Sequence, residues 1–160
     1  IGLTSVTFQE QSKVAGIGVN AFRGCSSLTS IAIPSSVTGI GESAFEGCTG
    51  LTGITIPDSV TGIADYAFYG CTALQSIDVD PSNTVYSSDD GVLYSKDKTT
   101  LITYPAGKAN GSFVIPDSVT GIGDNAFEEC SSLTSISIPG QNLEKDGCFR
   151  GFSDRTNCPV

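Results

Sequence analysis

The stretch Leu51–Gly70, LTGITIPDSVTGIADYAFYG, decides the fold. Leu51, Ile54 and Ile56 set apolar side chains on one side of a short extended segment, Pro57 and Asp58 end it, and Val60 and Ile63 continue the apolar line. Ala67, Phe68 and Cys71 then read as a short helical or 3₁₀ turn, with the Asp65 carboxylate placed for its unpaired N–H groups. One such unit cannot bury its apolar edge alone, so the reading stands or falls on whether copies follow.

They do. A-F-x-x-C-x-x-L-x-x-I-x-[IV] recurs at Phe22, Phe45, Phe68 and Phe127, with Cys25, Cys48, Cys71 and Cys130 three residues on. The first three phenylalanines are 23 residues apart (45 − 22, 68 − 45), and a period in the twenties marks a solenoid of stacked leucine-rich coils. Stacking at ~4.8 Å per strand builds a parallel sheet on one face and closes a shared core. The expected fold is a right-handed α/β solenoid of about six layers with 23-residue coils. Leu28, Ile31 and Ile33 keep the register, as do Leu133, Ile136 and Ile138, while Leu3, Val6 and Phe8 begin a looser copy.

The spacing from Phe68 to Phe127 is 59 (127 − 68), leaving 36 extra residues (59 − 23). Residues 85–105, VYSSDDGVLYSKDKTTLITYP, predict a β-hairpin in which Val92-Leu93-Tyr94 faces Leu101-Ile102-Thr103-Tyr104 across Lys96-Asp97-Lys98, with Asp90-Gly91 as a turn signal. Past Pro139 the repeat breaks at Asn142, Lys145 and Arg150. The solenoid is assigned to residues 1–140 with its insert at about 80–114, and residues 141–160, with Phe149 and Phe152, are assigned to a C-terminal cap.

The strings IPSSVTGIGESAFEGCTGLTGITIP, IPDSVTGIADYAF and IPDSVTGIGDNAF, with the insert DGVLYSKDKTTLITYPAGK, closely resemble the BspA-like leucine-rich repeats, also called the Treponema pallidum type. The resemblance spans about residues 3 to 139. It implies an extracellular or cell-surface protein of a bacterium or protist and, by analogy with several adhesins of the family, attachment to a protein or glycan of another cell or matrix.

Composition narrows the function classes. The 160-residue chain is 39% apolar, with no run near the ~20 residues that cross a bilayer. A net charge of −9 without a basic stripe argues against nucleic acid or an anionic membrane as partner. There is no His, which removes the commonest general base and most zinc sites, and no phosphate-binding glycine motif; an enzyme is not expected, nor a cofactor. The chain opens at Ile1 inside repeat material, which reads as an end made by processing or cloning.

Candidate residues follow from the coil. Cys25, Cys48, Cys71 and Cys130 form one column at ~4.8 Å steps, too far apart to converge on zinc and pointing the same way, so a buried, reduced ladder is expected. Cys148 and Cys158, off the ladder, are expected to form a disulfide. Asp78, Asp80, Ser82 and Asp89 suggest a calcium loop, but Asn83 sits where an EF-hand needs Gly and no helices flank it, so the group reads as an acidic loop. Alternation exposes Ser5, Ser30, Gly53, Ser76 and Ser135 in one column and Thr7, Ala32, Thr55, Asp78 and Ser137 in the next. Ser30, Thr55, Asp78 and Ser137 on this face, with Tyr66 and Tyr69 beside Phe68, are the candidate ligand contacts. Tyr86, Tyr94 and Tyr104 are expected either to pack the insert onto the stack or to serve as contacts, and Asn110-Gly111-Ser112 fits the glycosylation sequon. The expected function is a non-catalytic adhesion module. The rival is a structural subunit that self-associates end to end, because an open sheet edge at Leu3 to Phe8 calls for a cover.

Overall fold

The computed structural model describes residues 2–138. Coil one contributes β1 (Ser5–Val6) and β2 (Gly16–Ile17), coil two β3 (Ser30–Ile31) and β4 (Gly39–Ile40), and coil three β5 (Gly53–Ile56) and β6 (Gly62–Ile63). Coil four is longer, with β7 (Ser76–Val79), β8 (Tyr86–Asp89), β9 (Val92–Ser95) and β10 (Thr100–Thr103). Coil five supplies β11 (Ser112–Val114) and β12 (Gly121–Ile122), and β13 (Ser135–Ser137) begins the sixth. Each ordinary coil thus gives a front strand, from its L-x-x-I segment, and a back strand, from its T-G-I segment. Both sets stack in parallel and in register, for example Ile54↔Ile77 in front and Ile17↔Ile40↔Ile63 behind.

The S-V-T-G-I signature is a set of ties between coils. Ser36 and Ser59 donate through Oγ to the carbonyls of Val14 and Val37 at 2.9 and 2.7 Å, and Thr38 and Thr61 donate to those of Ala15 and Thr38 at 3.1 and 3.3 Å. The polar residues of the motif therefore satisfy backbone groups of the neighbouring layer while Val37 and Val60 between them are fully buried.

The helical half of the expected α/β architecture is absent: no helix occurs among the described residues, and the solenoid is all β-strand and turn. The A-F-x-x-C segment is a run of tight turns, with the N–H groups of Ala21, Arg23 and Cys25 donating to the carbonyls three residues back. Alternate N–H groups point out of the coil: Asn20, Phe22 and Gly24 donate to Glu42, Ala44 and Glu46 of coil two at 2.9, 2.8 and 2.7 Å. Donors engaged between layers cannot also make the i→i−4 bonds of a helix. In coils one, two, three and five, two residues of this run adopt the left-handed region, Asn20, Ser43, Tyr66 and Asn125 in one column and Gly24, Gly47, Gly70 and Glu129 in the other, which no continuous right-handed helix could accommodate.

The insert is also more than a hairpin. β8, β9 and β10 form an antiparallel meander, with Asp90-Gly91 turning β8 into β9 and Lys96-Asp97-Lys98 turning β9 into β10. β10 then rejoins the solenoid as the back strand of coil four, parallel to β12 with Leu101↔Ile122. Tyr104 lies 23 residues before Phe127 (127 − 104) and takes the Phe position: its N–H donates to Ala126 O at 2.7 Å and its ring sits 5.5 Å from Phe127. The extra 36 residues therefore lie within a genuine coil.

The meander divides the core. Front strands run β1, β3, β5 and β7, with Ala32↔Thr55 bridging the middle, and a separate pair is formed by β11 and β13. Where β11 would otherwise pair with β7, Ile77 N donates to Gly91 O at 2.8 Å and Val79 N to Ser88 Oγ at 2.9 Å. Behind, Ile63 N donates to the Tyr86 hydroxyl at 2.9 Å. Alternation along β9 sends Leu93 into a core that runs from coil one through Leu74 and Ile77 at the front of coil four, and Val92 and Tyr94 into a second core with Leu101, Tyr104 and coil five. Gly91 is required at its turn, because φ is +74° and a Cβ would lie 2.7 Å from Ser76 Cβ. Lys108 clamps the same turn, its Nζ 2.6 Å from Asp90 O and 3.0 Å from Asp90 Oδ2.

Candidate binding surfaces

The candidate residues divide between two faces. Ser30, Thr55, Asp78 and Ser137 are exposed on β3, β5, β7 and β13. Thr55 and Asp78 are direct cross-strand neighbours, with Ala32 on the other side of Thr55, whereas Ser30 belongs to the adjacent column beside Ser5. Ser137 pairs with Val114. A single strip from Ser30 to Ser137 does not exist, because the meander separates β7 from β11. Tyr66 and Tyr69 lie on neither sheet but on the turn ridge beside Phe68, their rings 6.0 Å apart and edge to face.

The cysteine column is half packing and half hydrogen bonding. Cys48, Cys71 and Cys130 are buried, Cys25 in the outermost described coil is half-buried, and all four are free thiols. Cys48 and Cys71 donate Sγ–H to the carbonyls of Phe22 and Phe45 at 3.1 Å, and Cys130 to that of Tyr104 at 3.6 Å. Burial pushes the thiols up to about 11 at Cys48 and about 12 at Cys71 and Cys130, with a neighbouring thiol adding to the first two and Glu129 to the third. These are poor nucleophiles and poor metal ligands at neutral pH. Cys148 and Cys158, like the assigned cap, lie outside the described residues.

The acidic loop groups have separate partners. Asp78 accepts from Ser76 Oγ at 3.0 Å, Asp80 from the Ser82 N–H at 2.8 Å, and Asp89 pairs with Lys98 at 2.7 Å. Asn83, where an EF-hand would need Gly, is instead a buried anchor. Its Nδ2 donates to Pro57 O and Val60 O at 2.8 and 2.9 Å, and its Oδ1 accepts from Val85 N and Tyr86 N at 2.9 and 2.8 Å. It ties the first turn of the insert to coil three. The insert tyrosines Tyr86, Tyr94 and Tyr104 are all buried, so packing the insert is their role, and Asn110 is exposed.

One feature of the ridge is missing from the coil pattern. In coils one, two, three and five, five positions separate the back-strand Ile from the Phe (17 to 22, 40 to 45, 63 to 68, 122 to 127), but Leu101 and Tyr104 are only three apart. Coil four therefore cuts its corner two residues short. Between the ridges of coils three and five this leaves a notch of about 140 Å³, floored by Ile102 and Thr103 and walled by Tyr66, Tyr69, Asp124 and Glu128. The signal was present in the sequence as the 23-residue offset of Tyr104 from Phe127, masked because Tyr replaces Phe and Gly107 stands in the Cys position.

Six copies of the BspA type leucine rich repeat region match residues 2–110 and 107–157. The chain belongs to this repeat family. Among solved structures, it is similar to the pneumococcal vaccine antigen PcpA, with 28% identity and a TM-score of 0.69 over 86% of this chain and 40% of that one. It is also similar to a leucine rich cell surface protein of Faecalibacterium prausnitzii A2-165, with 37% identity and a TM-score of 0.70 over 84% of this chain and 38% of that one. The leucine rich repeat protein of T. pallidum, at 24% identity and a TM-score of 0.52 over 84% of this chain and 69% of that one, shares the fold. The BspA-type chain thus spans about two fifths of PcpA and of the F. prausnitzii protein. No curated protein is detectably similar in sequence. Among the described residues, no helix is long and apolar enough to cross a membrane.

Proposed function

We propose that this BspA-type repeat domain is a non-catalytic adhesion module displayed at a cell surface, which binds a protein or glycan of another cell or matrix. The observation that carries the reading is the kinship with repeat proteins of which one is described as a cell surface protein and another as a vaccine antigen. The architecture supports it. Interlayer bonds made by every coil hold an extended, repeating surface in fixed register, the kind of scaffold on which recognition is distributed over many small contacts. The front face offers hydroxyls and one carboxylate at Thr55, Asp78, Ser30 and Ser137, without aromatic anchors, while the ridge offers Tyr66 and Tyr69.

The test is to probe an array of extracellular-matrix proteins and surface glycans with the biotinylated domain. Saturable capture by defined array members, weakened by substitutions on the front face or the ridge, is the expected result; hydrolysis of an array member by the purified domain would overturn the reading. End-to-end assembly is the second reading: among the described residues β1 and β2 each pair on one side only, and Leu3, Val14 and Val19 are exposed beside them. Sedimentation that stays monomeric from micromolar to millimolar concentration would remove it.

A further inference from the structure

The link between coils four and five runs through Asn110-Gly111, and both of its ends are fixed. Upstream, Lys108 is held by its Nζ on Asp90 and by its N–H, which donates to Pro105 O at 3.1 Å. Downstream, Gly111 O accepts from the N–H groups of Thr134 and Ser135 at 2.8 and 3.1 Å and from the Thr134 hydroxyl, where β11 docks on β13. Between these anchors Ala109, Asn110 and Gly111 are exposed and lie outside every strand. Their N–H groups make no hydrogen bond among the described residues.

That combination sets Asn110 apart from the other described asparagines. Asn20 and Asn125 are each followed by Ala, whose N–H donates three residues back, to Gly18 O and Gly123 O, at 3.2 Å. Asn83 is fully buried with its amide bonded on both sides. Asn110 is followed by Gly, so the next backbone nitrogen is unbonded and no Cβ shields the side-chain carbonyl from it. The fold does not demand this glycine: φ at Gly111 is not in the left-handed region, and a Cβ there would meet Thr134 Oγ1 at an ordinary 3.6 Å. Burial pushes the Tyr104 hydroxyl up and the nearby Asn110 amide draws it part of the way back, but that hydroxyl has no hydrogen-bond partner among the described residues. The Asn110 amide is therefore not locked in place by a bond to it.

We propose that Asn110 is a site of spontaneous deamidation, which converts the link between coils four and five to isoaspartate. The Gly111 nitrogen gives its proton to solvent base and bonds to Asn110 Cγ. The Cγ–Nδ2 bond breaks, and ammonia leaves with a proton from water as a succinimide closes. Water then opens the ring at either carbonyl. Opening at the main-chain carbonyl leaves Gly111 attached through the side-chain carboxyl, as isoaspartate; opening at the other leaves aspartate. Water is the sole co-reactant, so the step requires no catalytic group of the chain. Both products add a negative charge. Isoaspartate also lengthens the main chain by a methylene between Lys108 and Gly111 O, so the bonds from Thr134 and Ser135 take up the change.

Incubation of the folded protein at pH 8, followed by proteolysis and mass spectrometry, tests this. The amide-to-acid mass gain accumulates at Asn110 roughly tenfold or more faster than at Asn20, Asn83 or Asn125, with isoaspartate in excess of aspartate. The rate stays within about tenfold of that in the blocked peptide acetyl-Lys-Ala-Asn-Gly-Ser-amide, because the fold leaves the reacting atoms unhindered. Gly111→Ala slows conversion roughly tenfold or more without lowering the melting temperature. The converted fraction, separated by anion exchange, exchanges the amide hydrogens of Thr134 and Ser135 several-fold faster than the parent, whereas Asn110→Asp, which adds the charge alone, does not. Conversion at Asn110 less than tenfold faster than at Asn20, a rate more than about tenfold below that of the peptide, or a Gly111→Ala variant that converts as fast as wild type would each overturn the site. Exchange at Thr134 and Ser135 unchanged by conversion, or equally raised by Asn110→Asp, would overturn the role of the lengthened main chain.

Discussion

Replacing Asn83 by Asp tests whether the insert is held to the solenoid by one satisfied polar group. Asn83 is fully buried, with two donated and two accepted hydrogen bonds. Asp keeps the shape and still accepts from Val85 and Tyr86, but it turns the two amide bonds to Pro57 and Val60 into oxygen facing oxygen. Leaving a buried acceptor unpaired costs about 1–3 kcal/mol, so two cost roughly 2–6 kcal/mol, a large share of the 5–15 kcal/mol typical of a folded domain. The two N–H groups and the two carbonyls around the carboxylate offset one another, so desolvation decides and raises the folded-state pKa above the unfolded value of about 3.9. The neutral acid can donate to one of the two carbonyls. Its stabilising contribution is therefore fully present below the unfolded pKa and is lost as pH rises through the raised folded pKa. Urea denaturation of wild type and Asn83→Asp at pH 4.5 and 7 should show a deficit of roughly 2–6 kcal/mol at pH 7 that shrinks at pH 4.5. A deficit under about 1 kcal/mol, or one equal at both pH values, would refute the reasoning.

Phe45→Ala removes a fully buried ring stacked 5.3 Å from Phe22 and 5.8 Å from Phe68 and should cost about 3–5 kcal/mol in the same assay. Glu129→Gly should stabilise by roughly 0.5–1 kcal/mol, because Glu129 holds φ at +60° in a column where coils one to three have Gly. Iodoacetamide at pH 8 should alkylate half-buried Cys25 before Cys48, Cys71 or Cys130, read by mass spectrometry of the folded protein. Since those three thiols ionise near 9 when unfolded and only at about 11 to 12 when folded, their stabilising contribution is present below pH 9 and lost as pH rises toward 12, so melting temperature should fall across that window.

The 23-residue register of Leu, Ile, Phe and Cys determined the stacked coils, the parallel strands and the columns that meet within each half, because a repeat that cannot bury its own edge leaves stacking as the way to bury it. Asp90-Gly91 was legible as a turn for the same local reason: it needs two residues with positive φ. The turn run at Asn20–Gly24 was not legible. Helix and consecutive turns share the same short apolar spacing, and the choice depended on N–H groups being claimed by carbonyls 22 residues away in the next layer. Nor did local pattern show that Asn83 is buried, since its four partners come from coil three and the start of β8. The separation of Ser137 from Asp78 and the notch beneath Tyr66 arise from a meander that fills the space between two front strands and from a corner two residues short. Periodicity specifies what each coil shares with its neighbours; only the packed chain decides what happens where one coil differs from the rest.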